Sequence, residues 1–172
     1  YVHGLEVVLD AAEAVLDLPV RFVLVGGGSE KPALEQAAAD RGLRNVTFRD
    51  PVAPDDVARY LRRATAGLAS VRDLELFRSV RSAKMFPTMA TGRPVLYAGA
   101  DEGAALVRQA AAGITTAPGD GAALAGAVRH VLAHPEEAAA MGAAGRRWIV
   151  EEGSWRVLIE RWLADLERVA PG

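Results

Sequence analysis

The sequence predicts an α/β fold built on a doubly wound parallel sheet, and three observations carry the prediction. Short apolar runs alternate with longer stretches of helical period over most of the 172 residues. The runs lack the apolar–polar alternation of a sheet with one wet face, so helices are expected to cover both sides. The first run also ends in three consecutive glycines, a turn that lets a strand feed directly into a helix.

Each element follows from local residue chemistry. Leu5, Val8, Leu9, Ala12 and Leu16 recur at the spacing of one helix face. RFVLVGGG at 21–28 reads as a strand closed by glycine, and 30–42 as a helix stopped by Gly42. NVTF at 45–48 is a second strand. Residues 53–64 follow as a helix, with Pro54, Asp55 and Asp56 where a helix start favours them. AGLASV at 66–71 is a third strand and leads into a loop. A helix over 82–91, ended by Gly92, then precedes the strand PVLYA at 94–98. Residues 102–111 are helical, GITTA at 113–117 is a fifth strand, and PGD at 118–120 caps a helix over 121–133. Helices over 136–151 and 155–169 close the chain. No low-complexity linker divides it, so one domain is expected. It opens on a helix, whereas the doubly wound order begins with a central strand, so the chain is expected to be a piece of something longer that lacks its first strand.

Composition narrows the function classes. Apolar residues make up 51% and charged residues 24%, the profile of a folded globular protein. No window approaches 18 uninterrupted apolar residues, and no leader pattern is visible at Tyr1. The absence of Cys excludes disulfides and thiolate metal sites, and a cytoplasmic location is expected. With 20 basic and 22 acidic residues, the net charge of −2 argues against a nucleic-acid partner. Charge is uneven, however. Arg72, Arg78, Arg81, Lys84 and Arg93 face only Asp73 and Glu75 in that stretch, which makes it either a solvated loop or an anion site.

Two motifs could carry chemistry. VGGGSEK at 25–31 places backbone N–H groups where a strand meets a helix, which serves either an anion or merely a tight turn. It is not G-x-G-x-x-G, because Lys31 stands at the last glycine position. Ser82 is a candidate N-cap, and with Lys84, Arg78 and Arg81 nearby the helix start suits a diphosphate as well as it suits an ordinary cap. The histidines have no metal spacing: His130 and His134 are i, i+4 without the Glu of H-E-x-x-H and are expected at the surface. No metal site is expected. Trp155, Leu158, Ile159, Trp162 and Leu166 form an apolar stripe, by default core packing, alternatively an anchor for another domain.

The segments LEVVLDAAE (5–13), VRFVLVGGGSEKPALEQAAADRGLRNVTF (20–48), AKMFPTMATGRPVLYAG (83–99) and 118–152 together resemble the C-terminal half of GT-B-fold glycosyltransferases of the retaining, nucleotide-sugar-dependent group. The likeness is nearest to the branch that adds amino- or deoxy-sugars in polysaccharide and natural-product assembly. It implies a Rossmann-like domain that binds a nucleoside diphosphate sugar, UDP type first, with no further cofactor. The acceptor, a glycan, lipid or small molecule, would be met by an N-terminal domain outside this chain, which could also bring the protein to a membrane surface. By resemblance, Gly27 and Gly28 match the glycine turn, and Arg49 to Val52 match the loop where the base rests. Ser82, Ala83 and Lys84 match the helix start that cradles the diphosphate, and His3 falls where many relatives carry a phosphate-binding Lys.

The resemblance also exposes a departure. Relatives use an E-x7-E pair whose second Glu grips the ribose. Here Ser79 and Pro87 occupy the two positions. Thr88, Glu75 or Glu102 could replace the lost contact, or the domain has drifted toward a binding module that supports a partner enzyme. A sugar-nucleotide epimerase of the same architecture is the remaining alternative. Pro87 further predicts a kink or a late start for the helix expected over 82–91.

Overall fold

The computed structural model describes residues 3–77, 79 and 81–169. In chain order the elements are α1 (Glu6–Ala14), β1 (Phe22–Val25), α2 (Lys31–Asp40), β2 (Val46–Arg49), α3 (Pro54–Arg63), β3 (Gly67–Ser70), α4 (Met85–Ala90), β4 (Val95–Ala98), α5 (Glu102–Gln109), β5 (Gly113–Thr116), α6 (Gly121–Ala133), α7 (Pro135–Trp148) and α8 (Trp155–Val169). A 3-10 turn, Glu75–Phe77, lies between β3 and α4, and a π-helical turn, Ile149–Gly153, joins α7 to α8.

All strand pairs are parallel. β1 pairs with β2, and β3, β4 and β5 form a second sheet in that order. Among the described residues no ladder joins the two sheets. Helices cover both faces, as the continuous apolar runs require. On β4, Leu96 and Ala98 point into one cluster with α1 and α6, while Val95 and Tyr97 point into another with Met85, Met89 and Val107. α1 touches both sheets. Its Val8, Ala11 and Ala12 pack with Phe22, Leu96 and Leu124, while Leu9 packs with Leu34, Ala38 and Leu43 beside the β1–β2 pair.

Helix ends follow the expected chemistry at most positions. Gly42 (φ +64°) and Gly92 (φ +70°) take the left-handed conformation that ends α2 and α4. The Asp101 and Asp120 carboxylates accept from the Ala104 and Ala123 N–H groups at 2.9 and 2.8 Å, capping α5 and α6.

Three expectations are corrected. The helix expected over 82–91 starts only at Met85, and Lys84, not Ser82, holds its N-cap position without a side-chain cap bond. Pro87 is thereby the third residue of α4, within the first turn, where its missing N–H costs nothing. The helix expected over 136–151 ends at Trp148 and passes into the π turn, where a Cβ on Gly153 would lie 2.4 Å from the Trp148 ring. The apolar stripe of α8 is not core: Trp155 is 81% and Trp162 61% exposed, because α8 leaves the body and packs chiefly against the π turn.

Candidate functional site

The loops that follow β1, β2 and β3 gather at the C-terminal ends of the strands. Gly26 (φ +147°) and Gly28 (φ +139°) hold conformations that side chains disfavour. The Gly26 N–H donates to the Arg49 carbonyl at 3.0 Å, and a Cβ on Gly27 would lie 3.4 Å from Pro51. The Lys31 ammonium donates to Asp50 at 2.7 Å, which holds that carboxyl below its ordinary range and raises Lys31. The glycine turn and the 49–52 loop therefore form one wall, with Arg49 exposed and Val52 half-buried.

At the end of β3 stands a pair that sequence distance conceals. Lys84 Nζ lies 2.6 Å from His3 Nε2, and His3 Nδ1 lies 3.2 Å from the Ser70 carbonyl oxygen. An ammonium can only donate, so Nε2 accepts and the imidazole proton belongs on Nδ1, donating to Ser70. The Ser70 hydroxyl donates back to the His3 carbonyl at 2.6 Å, fixing His3 at the end of β3. Burial and the neighbouring Lys84 charge push the imidazole pKa below its ordinary value, against the opposing pull of the Ser70 carbonyl and Glu30. Partial burial lowers the Lys84 ammonium in turn.

The basic stretch divides into separate contacts. Arg72 bridges Glu6 at 2.8 Å and Glu30 at 3.1 Å. It crosses over Gly4, where a Cβ would come within 2.7 Å of the Arg72 chain. Arg81 pairs with Glu102 at 3.0 Å. Arg93 lies at the other end of α4, donating to the Arg62 carbonyl. Arg78 lies outside the described residues. The basic excess read from the sequence is thus largely neutralised or displaced; Lys84 and Arg93 keep no carboxylate partner among the described residues, and of these two Lys84 stands at the C-terminal strand ends. A cavity opens beside the pair, lined by Gly4, Glu6, Asp10, Ser70, Arg72 and Gly119. Its carboxylates suit hydroxyl or cationic groups better than a phosphate.

The helix start is built differently from the expectation. Ser82 is buried, and its Oγ has no partner among the described residues. The Tyr97 hydroxyl, which the Ser82 backbone approaches, donates to Asp101 at 3.0 Å. Ala83 and Lys84 are exposed, and their N–H groups donate to no backbone carbonyl among the described residues. Thr88 does not reach this mouth. It is 2% exposed, its hydroxyl donates to the Lys84 carbonyl at 3.3 Å, and it is wedged against Gly67, where a Cβ would lie 2.2 Å from its oxygen. Its position on α4 faces β3, so it cannot replace the missing acid. Glu102 is engaged by Arg81, while Glu75 is exposed on the 3-10 turn. His3, Gly27, Gly28, Arg49, Val52, Ala83 and Lys84 thus share the strand ends.

Sequence reasoning missed the Tyr97–Asp101 link and the Arg72 bridge. Asp101 had a usable signal, a cap residue before a helix, but its second partner is a strand residue. His130 and His134 are at the surface as expected, His130 beside Glu137 at 2.9 Å. Among the described residues no group of three or more His, Asp or Glu could hold a metal ion, and no helix is long and apolar enough to cross a membrane.

The family model described as "Glycosyl transferases group 1" matches residues 1–134. The chain belongs to that family. It is 28% identical over 170 residues to the 2-deoxystreptamine glucosyltransferase of Streptomyces kanamyceticus, covering 97% of this chain and 42% of that protein. It is 30% identical over 145 residues to the D-rhamnosyltransferase WbpZ of Pseudomonas aeruginosa, covering 83% of this chain and 36% of that one. The Anabaena protein HepE, solved in complex with UDP, superposes with a TM-score of 0.83 at 19% identity, covering 97% of this chain and 46% of HepE. The chain thus spans less than half the length of these relatives, and its fold is that of GT-B glycosyltransferases.

Proposed function

We propose that this chain is the donor-binding half of a glycosyltransferase, taking a nucleoside diphosphate sugar of UDP type and presenting it to an acceptor hydroxyl on a glycan, lipid or small molecule held by another part of the protein. One observation carries the reading. The Lys84 ammonium, with no carboxylate partner among the described residues, stands beside the Ala83 and Lys84 N–H groups, which donate to no backbone carbonyl among the described residues, at the C-terminal strand ends that also carry the glycine turn. A diphosphate fits that arrangement. In glycosyl transfer the bond from the anomeric carbon to the diphosphate oxygen breaks, charge builds on the leaving group, and fixed donors there lower the barrier. The donor is held without a dedicated metal ion, since Lys84 and the amides supply the positive potential. The 49–52 loop beside the glycine turn receives the base.

Calorimetry with UDP, GDP and dTDP tests this, with UDP expected to bind tightest. Absence of heat at millimolar nucleotide would overturn the reading. A second reading, a binding module that supports a partner enzyme, is favoured by Ser79 and Pro87 standing where relatives carry acids. Slow release of sugar to water from UDP-glucose in the full-length protein supports the transferase, whereas nucleotide binding without release supports the module.

A further inference from the structure

We propose that His3 is a proton-coupled ligand for the diphosphate: in the free protein it is neutral and parks Lys84 on Nε2, and when the anion arrives it takes up a proton so that both cations face the phosphates. The proposal rests on the donor-site reading above and adds how the site matches its charge to its ligand.

The geometry leaves two states for this pair. With Nδ1–H donating to the Ser70 carbonyl, Nε2 is the free acceptor of the ring, and Lys84 Nζ fills it at 2.6 Å. Protonation at Nε2 turns that acceptor into a donor. The imidazolium and the ammonium then repel at that distance and separate unless an anion lies between them. A diphosphate does so: one phosphate oxygen accepts from Nε2–H and another from Lys84, and the proton comes from solvent. The Ser70 carbonyl bond survives the change, so the ring keeps its place while its outer nitrogen reverses role.

The other charges around the ring do not duplicate this function. Glu30, from the start of α2, favours the protonated ring but is already engaged by Arg72 from the end of β3. Glu6 of α1 meets the same Arg72. Lys84, before α4, opposes protonation. Burial and Lys84 together keep the ring neutral in the empty site. A doubly charged ligand reverses the balance, because it neutralises Lys84 and adds its own attraction.

The experiment is calorimetry of the full chain with UDP-glucose, whose diphosphate diester does not itself titrate near neutrality, at pH 6 to 8 in buffers of different ionisation enthalpy. Wild-type protein is expected to take up a fraction of a proton on binding, with affinity rising as pH falls, by roughly tenfold per pH unit at the steepest point for one proton. His3→Gln, whose amide oxygen can still accept from Lys84 but cannot be charged in this range, is expected to bind with no proton uptake and a flat pH profile. His3→Lys supplies a fixed cation and is expected to bind tightly across the range, also without uptake. Binding by the wild type with no buffer-dependent heat, or an unchanged pH profile in His3→Gln, overturns the proposal and leaves the donor site standing. No binding of UDP-glucose at any pH overturns the donor-site reading and this proposal with it. Circular dichroism of each variant at each pH establishes that folded protein is being compared.

Discussion

The Tyr97 hydroxyl donates to Asp101 Oδ2 at 3.0 Å, so one buried phenol ties β4 to the start of α5. Burial and the Asp101 carboxylate push the phenol pKa well above its ordinary value, so it stays neutral and donating throughout the working range. Space for it is reserved by glycine: a Cβ on Gly103 would sit 2.3 Å from the hydroxyl. Tyr97→Phe removes a buried donor and leaves Asp101 Oδ2 without this partner. A loss of about 1–3 kcal/mol is expected in urea unfolding. A change below 0.5 kcal/mol would show that the link bears no strain of the fold.

Lys84→Ala should weaken UDP binding by roughly ten- to hundredfold, the worth of one charge-assisted hydrogen bond of about 1.5–3 kcal/mol, with little change in unfolding midpoint. The ammonium contacts His3 and, among the described residues, no carboxylate, which is why stability should be spared. Equal affinity in the variant would move the diphosphate elsewhere.

Pro87→Glu tests the missing acid. Pro87 is exposed and lies in the first turn of α4, where a Glu is favoured, so the helix tolerates the change. UDP affinity is expected to rise roughly ten- to hundredfold as the ribose gains a charged partner. An unchanged or weakened affinity, read by calorimetry, would mean that the ribose is held by groups already present.

Gly113→Ala should be among the costliest single methyl additions. The new Cβ would meet the Val95 carbonyl oxygen at 1.9 Å, inside the β4–β5 ladder, where backbone cannot yield as a side chain does. A loss of about 3 kcal/mol or more is expected, against roughly 1–3 for ordinary overpacking. Soluble yield and thermal midpoint report it.

Trp155→Ala and Trp162→Ala should each change the stability of this chain by less than about 0.5 kcal/mol, since both rings are largely exposed. A large loss in urea unfolding would show that the α8 stripe is covered in solution.

All five strands were legible because each is a short apolar run bounded by glycine, proline or a cap residue, and such signals are local. The late start of α4 was legible too, because Pro87 restricts its own neighbourhood whatever surrounds it. What sequence concealed is non-local. His3 and Lys84 are 81 positions apart, and nothing in either neighbourhood specifies the 2.6 Å contact that the two strand ends impose. Thr88 looked available because a hydroxyl beside the lost acid position is chemically apt; only the packing of α4 on Gly67 shows that it points inward. The α8 stripe carried the period of a core helix, and periodicity reports an apolar face without saying what covers it.

The β1–β2 ladder and the β3–β5 ladder share no hydrogen bonds, and α1 helps bolt them together, through Leu9 beside the β1–β2 pair and through Val8 and Ala12, which pack with Phe22 of β1 and Leu96 of β4. The smaller ladder can therefore open while the larger stays shut. Its amides, from Phe22 to Val25 and Val46 to Arg49, should exchange with solvent deuterium sooner than those of β4, and the wall carrying the glycine turn should breathe with them.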